Sequence, residues 1–271
     1  QYASCMKALE QKSNMLKPFV FAGLNCETAK KIFTQVIIPK AMYAASLWDT
    51  TSKVNITQYI KLFLGAHYNP PSEALHKLID IPPPTLLYTC ERLHLMRGLA
   101  KYGYTDIISS SPKSGITKVF LSDFKKVVDR HTQLQDIQPT ALSKPIIKKT
   151  IQKEWSRMWS TQLSQGACPY GLLSQLPPTY LDDHPIPLDF DRRSIGTLCD
   201  LLTGHSRLQL FQFRVNLSYT PICSCLRDEE TPQHYLFHCP EYTGMRRIAN
   251  PSLHDWTAVI QFNMLTKRLS F

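Results

Sequence analysis

The 271-residue chain has no stretch approaching the roughly 18 consecutive apolar residues that a membrane span requires. Its first twenty residues, QYASCMKALEQKSNMLKPFV, also lack the continuous apolar core of a secretion signal. Membrane insertion and export are therefore not expected, and an intracellular location is. The chain shows no internal repeat of about 20 to 50 residues and no low-complexity tract, which excludes solenoid and propeller architectures. No Gly-rich phosphate loop, Ser-His-Asp set or Cys-His pair stands out, so nucleotide hydrolysis and nucleophilic catalysis have no sequence support. Hydrophobic residues make up 43% and charged residues 19%, far from the composition of a disordered chain. Position 1 is Gln rather than Met, so the chain reads as processed or as a piece of a longer product.

Positive charge is abundant and uneven. The formal net charge of +10 divides into +5 over residues 1–110, +6 over 111–170 and −1 over 171–271. The basic middle carries Lys113, Lys118, Lys125, Lys126, Arg130, Lys144, Lys148, Lys149, Lys153 and Arg157, a set that attracts a polyanion through counterion release or merely solvates helical faces.

Helical periodicity dominates. Met6, Leu9 and Met15 suggest an amphipathic first helix ending before Pro18, and Asn25 is placed to cap a second whose stripe is Ala29, Ile32, Phe33, Val36 and Ile37, interrupted at Pro39. Residues 41–48 are apolar on all sides and read as buried. Further helices are expected at 54–65, 73–80, 85–102, 122–134, 143–162 and 191–203. In 143–162, Ser143 stands as cap ahead of Pro145, and Ile147, Ile151, Trp155, Met158 and Trp159 form one stripe opposite the lysines, so the helix should pack inward and present Lys144, Lys148, Lys149 and Lys153 outward. Prolines at 70–71 and 82–84 separate helices, and the proline-rich run 168–187 is the best linker candidate. Within it, Tyr180-Leu181-Asp182-Asp183 spells the form of a polymerase metal motif, but the prolines on both sides exclude the strand hairpin such a motif occupies, and the string reads as a loop coincidence.

Of eight cysteines, three lie close together beside a histidine in ICSCLRDEETPQHYLFHCPEY, residues 222–242. Cys223 and Cys225 form one short pair, and His234 with either Cys239 or His238 forms a second, the four-donor pattern of a structural zinc site. On a regular α-helix, five steps leave His234 and Cys239 about 140° apart, so the helix must end for both to reach one ion. Pro240 supplies that ending and pushes Cys239 out of the helical region. His238, four residues after His234, shares its helical face, and spacing alone leaves both choices open.

The segment DLLTGHSRLQLFQFRVNLSYTPICSCLRDEETPQHYLFHCPEYTGMRR resembles the cysteine-histidine module at the carboxyl end of non-LTR (LINE-type) retrotransposon polyproteins. Those carry a Thr-Gly-His turn, Cys-x-Cys, Glu-Thr-x-x-His and Cys-Pro before a basic helix. Thr203, Gly204, His205, Cys223, Cys225, Glu230, Thr231, His234, Cys239 and Pro240 match. GLNCETAKKIFTQVIIPKAMYAASLW, residues 23–48, is similar to the helical segment after the palm of these reverse transcriptases, and LFLGAHYNPPSEALHKLIDIPPP extends the similarity more weakly. The resemblance implies Cys239 rather than His238 as fourth ligand. The family has glycine directly after Cys-x-Cys, where positive φ is easy, whereas this chain has Leu226. No finger and palm region with metal-binding aspartates is recognisable, nor a ribonuclease H carboxylate set, so polymerisation is not expected of this chain and no catalytic residue is assigned.

The expectation is a mainly α protein: a thumb- and connector-like helical region at 1–103, a basic helical connector at 104–167, a linker at 168–187 and a small zinc-binding module at 188–271. Its expected role is non-catalytic binding of RNA or DNA, whether retroelement RNA or target DNA, beside an upstream polymerase domain. The contacts would come from Lys125, Lys126, Lys144, Lys148, Lys149, Lys153, His205, Arg207, Arg246 and Arg247, with zinc as a structural ion. Gly204 and His205 also have a purely structural reading, as a left-handed helix cap and its neighbour. The alternative for the whole chain is a zinc-stabilised protein-interaction scaffold without nucleic-acid binding.

Overall fold

The structure, a computed structural model, describes residues 2–42, 56–104, 125, 129, 141–166, 168, 171–176, 178–183, 186 and 188–249. Among these the fold is mainly α, with no strand and one isolated antiparallel bridge, Ile222 with Glu229. The helices are α1 (Tyr2–Phe21), α2 (Cys26–Ile32), α3 (Ile38–Ala41), α4 (Thr57–Leu64), α5 (Ser72–Ile79), α6 (Pro84–Lys101), α7 (Lys144–Ser164), α8 (Tyr180–Asp183), α9 (Arg192–Thr203), α10 (Gln209–Arg214) and α11 (Thr243–Ala249). No described helix is long and apolar enough to cross a membrane. The expected buried run 41–48 beyond Met42, and most of the expected helix 122–134, lie outside the described residues.

Two prolines expected to stop helices do not. Pro18 lies inside α1, whose inward face is Ser13, Leu16 and Val20, while Met15 is exposed. Ahead of Pro39 the chain widens into a π turn, Phe33–Ile37, closed by the Ile38 N–H on Phe33 O, and then resumes as α3. The wider turn shifts the stripe, so Phe33, Ile37 and Ile38 are buried and Val36 faces out. Asn25 caps as expected, its Oδ1 accepting from Thr28 N at 2.7 Å.

The chain forms two compact units, each drawn from separated stretches. One comprises Gln1–Met15, Ile32–Ile56 and Pro82–Met158, the other Leu16–Lys31, Thr57–Ile81 and Trp159–Phe271. In the first, Leu86, Leu93 and Met96 of α6 bury against Leu142, Ile147, Ile151 and Trp155, with Cys90, Leu99 and Met158 lining the cluster. Ser143 Oγ accepts from Ile146 N at the start of α7, and Lys144, Lys148, Lys149, Lys153 and Arg157 of this helix are exposed.

In the second unit α4, α5 and α9 pack around Ile60, Phe63, Leu75, Ile79 and Ile195. The chain after α4 meets α9 backbone to backbone, because a Cβ on Gly196 would lie 2.3 Å from Gly65 O and one on Gly65 would lie 2.6 Å from Arg192 O. Arg192 Nε donates to Leu62 O at 2.8 Å across the same crossing. The next turn is fixed by Asp200 of α9, which accepts from His67 Nδ1 at 2.8 Å and from His67 N at 3.3 Å. Burial holds the Asp200 carboxyl above its ordinary value, with His67 opposing. Among the described residues of 168–187, the expected linker, Leu172, Leu173, Leu181 and Ile186 are buried. Gly171 sits so close to the end of α9 that a Cβ would meet Leu202 O at 2.3 Å. Tyr180–Asp183 is a helical turn rather than a hairpin, and Asp182 pairs with the buried Lys77 of α5.

Candidate metal centre

A short hairpin carries the first donor pair. Glu230 N donates to Pro221 O and Cys223 N to Asp228 O, both at 2.9 Å, and the turn is closed by Leu226 N on Cys223 O at 2.9 Å. Leu226 takes φ 57°, the left-handed conformation that glycine adopts at no steric cost. The glycine-like turn is therefore kept with a leucine in it.

The second pair comes from a π turn, His234–His238, entered where Thr231 Oγ1 accepts from His234 N at 2.9 Å. Cys239 N donates to His234 O at 2.7 Å, an i to i+5 bond that sets Cys239 almost above His234. Cys239 itself is extended, with φ −65° and ψ 122°, as a residue before proline should be. The helix thus does more than end at Pro240: it widens first, which removes the angular mismatch of a regular helix. Arg246 of α11 then donates to Cys239 O and Tyr235 O, fastening the carbonyls this departure leaves open.

The donor atoms of Cys223, Cys225, His234 and Cys239 all lie within 4.8 Å of one another. Cys223 Sγ is 3.6 Å from Cys239 Sγ, and Cys225 Sγ is 3.2 Å from His234 Nε2. Thiolate bonds of about 2.3 Å in a tetrahedron give sulfur edges near 3.8 Å, so the cluster could hold one metal ion with little adjustment. His238 is exposed and outside the cluster.

Burial and main-chain donors act on the ligand sulfurs in opposite directions. Burial pushes the Cys223 thiol up to about 11, although the Cys225 N–H donates to its sulfur. Desolvation raises Cys225 as well, yet its value is held below the ordinary one because the Arg227 and Asp228 N–H groups and the other two thiols donate to it. Backbone N–H groups aimed at ligand sulfurs are the outer shell that such a site needs. Tyr235 and Tyr242 pack edge to face beside it, their centroids 4.5 Å apart. Glu230 is buried and links the hairpin to α10, accepting from Gln209 N at 2.7 Å while its other oxygen lies 3.9 Å from Cys223 Sγ.

The expected contact residues divide. Lys125, Lys144, Lys148, Lys149, Lys153, Arg207 and Arg247 are exposed, and Lys126 lies outside the described residues. Arg246 is half-buried, and its guanidinium donates to Cys239 O and Tyr235 O. Arg157 is bonded at two points to Glu154. Gly204 caps α9 with φ 78°, His205 Nδ1 donates to Thr203 O at 3.2 Å, and the imidazole lies 5.0 Å from the Phe211 ring, an arrangement that anchors the turn. Glu230 and Thr231 stand in the sequence only as matched motif residues, and the fold gives each a role. Their signal was the Glu-Thr pair three residues before His234, the position from which a threonine reaches the first N–H of a helical turn. Comparison of the chain with protein-family models, with curated proteins and with solved structures finds no match.

Proposed function

We propose that this chain is the carboxyl-terminal part of a non-LTR retrotransposon reverse transcriptase polyprotein, and that it holds RNA or DNA without sequence readout while a zinc ion fixes the shape of its last module. The observation that carries the binding role is the lysine row of α7. Lys144, Lys148, Lys149 and Lys153 are all exposed on this helix while Ile147, Ile151 and Trp155 are buried, and Glu154 is already engaged by Arg157. Such a row neutralises phosphates and releases their counterions.

Zinc is favoured by three thiols and an imidazole, and four protein donors leave no position for a reactive water, the mark of a structural site. The resemblance of residues 200–247 to the retroelement module, with every matched ligand at the cluster, supports the polyprotein assignment.

The test is retention on nonspecific RNA and duplex DNA over a salt series. Affinity should fall steeply between low and moderate salt, and Lys148→Gln with Lys149→Gln should flatten the log–log slope on duplex DNA by about 1.8. Binding that does not weaken with salt refutes the reading.

A further inference from the structure

The segment joining α10 to the metal hairpin is built with its polarity reversed. Its polar side chains are engaged within the chain: Ser218 Oγ donates to Gln209 Oε1 at 2.6 Å and accepts from Thr220 N, and Thr220 Oγ1 accepts from Ile222 N at 3.1 Å. Leu217 N donates to Gln212 O at 2.8 Å, and Asn216 takes φ 59° to make the bend. The large apolar side chains point to solvent instead. Leu217 is 69% exposed, Leu226 is 83% exposed, Tyr219 is completely exposed and Phe213 is 42% exposed. A tied-down chain that displays aromatics and leucines in this way is a contact surface. Leu226 sharpens the point, because it occupies a left-handed position natural to glycine and buries almost nothing within the fold.

The charge around the strip identifies its partner. Arg207, Arg214 and Arg227 are exposed along it with no Asp or Glu from residue 201 to 227, so positive charge prevails up to the hairpin tip, beyond which the exposed Asp228 and Glu229 bound the strip on one side. Exposed aromatic faces interleaved with arginines suit a polyanion that also offers flat apolar rings. Duplexes hide their base faces, whereas single strands present them. We infer that residues 213–227 form a stacking strip for unpaired nucleotides of single-stranded RNA or DNA, with Tyr219 and Phe213 under bases, Leu226 against a base or sugar, and the arginines on phosphates. The inference rests on the nucleic-acid reading above and adds to it a preference for single strands located at the metal module.

The experiment uses the full chain with its metal and a short labelled oligo(dT), alone and annealed to its complement, followed by fluorescence anisotropy at several salt concentrations. Tyr219→Ala should weaken single-strand binding roughly tenfold, with the salt slope and duplex binding unchanged. Arg227→Gln should instead reduce the single-strand slope by about 0.7. Leu226→Gly should weaken single-strand binding without weakening metal retention, which separates contact from folding. If the wild type binds both nucleic acids in a salt-dependent way and Tyr219→Ala matches it, the strip is refuted and the lysine row stands. If the wild type binds neither, both readings fall. A Tyr219-dependent dimer that forms without nucleic acid assigns the strip to a second copy of the chain and overturns the inference.

Discussion

Leu226→Gly is expected to make the protein more stable, an uncommon outcome for removing a large apolar side chain. A non-glycine residue in the left-handed region costs about 1–2 kcal/mol. Glycine gives back about 0.5–1 kcal/mol through the larger entropy of its unfolded chain. Full burial of a leucine is worth about 1.5–3 kcal/mol, but Leu226 is 83% exposed, so less than about 0.5 kcal/mol is lost with it. The balance favours glycine by about 0.5 kcal/mol, and at most about 1. Leu226→Ala keeps the strained Cβ and gives up the small burial, so it should fall slightly below wild type. The assay is urea unfolding of the metal-saturated protein, together with chelator competition, in which 0.5 kcal/mol appears as roughly a twofold tighter metal. The reasoning predicts the order Gly, Leu, Ala. The order Leu, Ala, Gly would mean that the turn carries no strain and that Leu226 is held by contacts of its own. If Leu226→Gly also loses single-strand binding, stability and binding are opposed at one side chain, as expected where a contact surface is kept at the expense of the fold.

Other outcomes follow from the same geometry. Cys225→Ser, or chelation of the wild type, should destabilise residues 190–271 by several kcal/mol, about 4 when metal stands at a thousand times its Kd, whereas His238→Ala should cost less than about 0.5; metal content and thermal unfolding decide, and the reverse order would move the fourth ligand to His238. Gly196→Ala gains about 1 kcal/mol of helix propensity but places a Cβ 2.3 Å from Gly65 O, so a net loss of about 1–2 kcal/mol is expected. Gly98→Ala, with nothing within 4 Å of the new carbon, should be stabilising, and equal urea midpoints for the two would refute the close crossing. Burial holds the His76 imidazole below its ordinary value even though its Nδ1 donates to Ile81 O at 2.9 Å. A depressed folded value means that stability present above about pH 6.5 is lost as pH falls towards it. Urea midpoints at neutral and mildly acidic pH should therefore diverge in the wild type and converge in His76→Gln, and equal slopes would remove His76 as the source.

What the sequence discloses here is what local rules govern. Periodicity places α4, α5, α6, α7 and α9 to within three residues, and Asn25, Ser143 and Gly204 act as the caps their chemistry suggests. Cys223, Cys225 and His234 are legible as donors because each is fixed by its own short neighbourhood, whereas spacing leaves the fourth open between Cys239 and His238 until the π turn is seen. The illegible features depend on partners distant in the chain. Lys77 is buried against Asp182, 105 residues away, and His67 meets Asp200 across 133 residues, so neither pair leaves a periodic trace. Residues 168–187 look like a linker by composition, yet Gly171 is a contact glycine whose missing side chain lets the segment lie on the end of α9. Arg246 counts as free charge in a sequence and as a carbonyl clamp in the fold.

The two π turns connect these levels. Each stands immediately before an Xaa-Pro pair: Ile38 N bonds to Phe33 O ahead of Pro39, and Cys239 N bonds to His234 O ahead of Pro240. Proline has no N–H for the carbonyl four residues back and its ring crowds that carbonyl, so widening the preceding turn by one residue relieves both problems at once. The paths then part. Ile38 stays helical, its carbonyl accepts from Met42 N at 2.8 Å, and the helix continues. Cys239 turns extended and its carbonyl is taken by Arg246, so the widened turn becomes one wall of a metal site. Proline alone therefore fixes neither the widening, which α1 does without at Pro18, nor the exit. What separates a continued helix from a ligand pair is the group that satisfies the carbonyl just before the proline: the main chain four residues on in one case, an arginine seven residues on in the other.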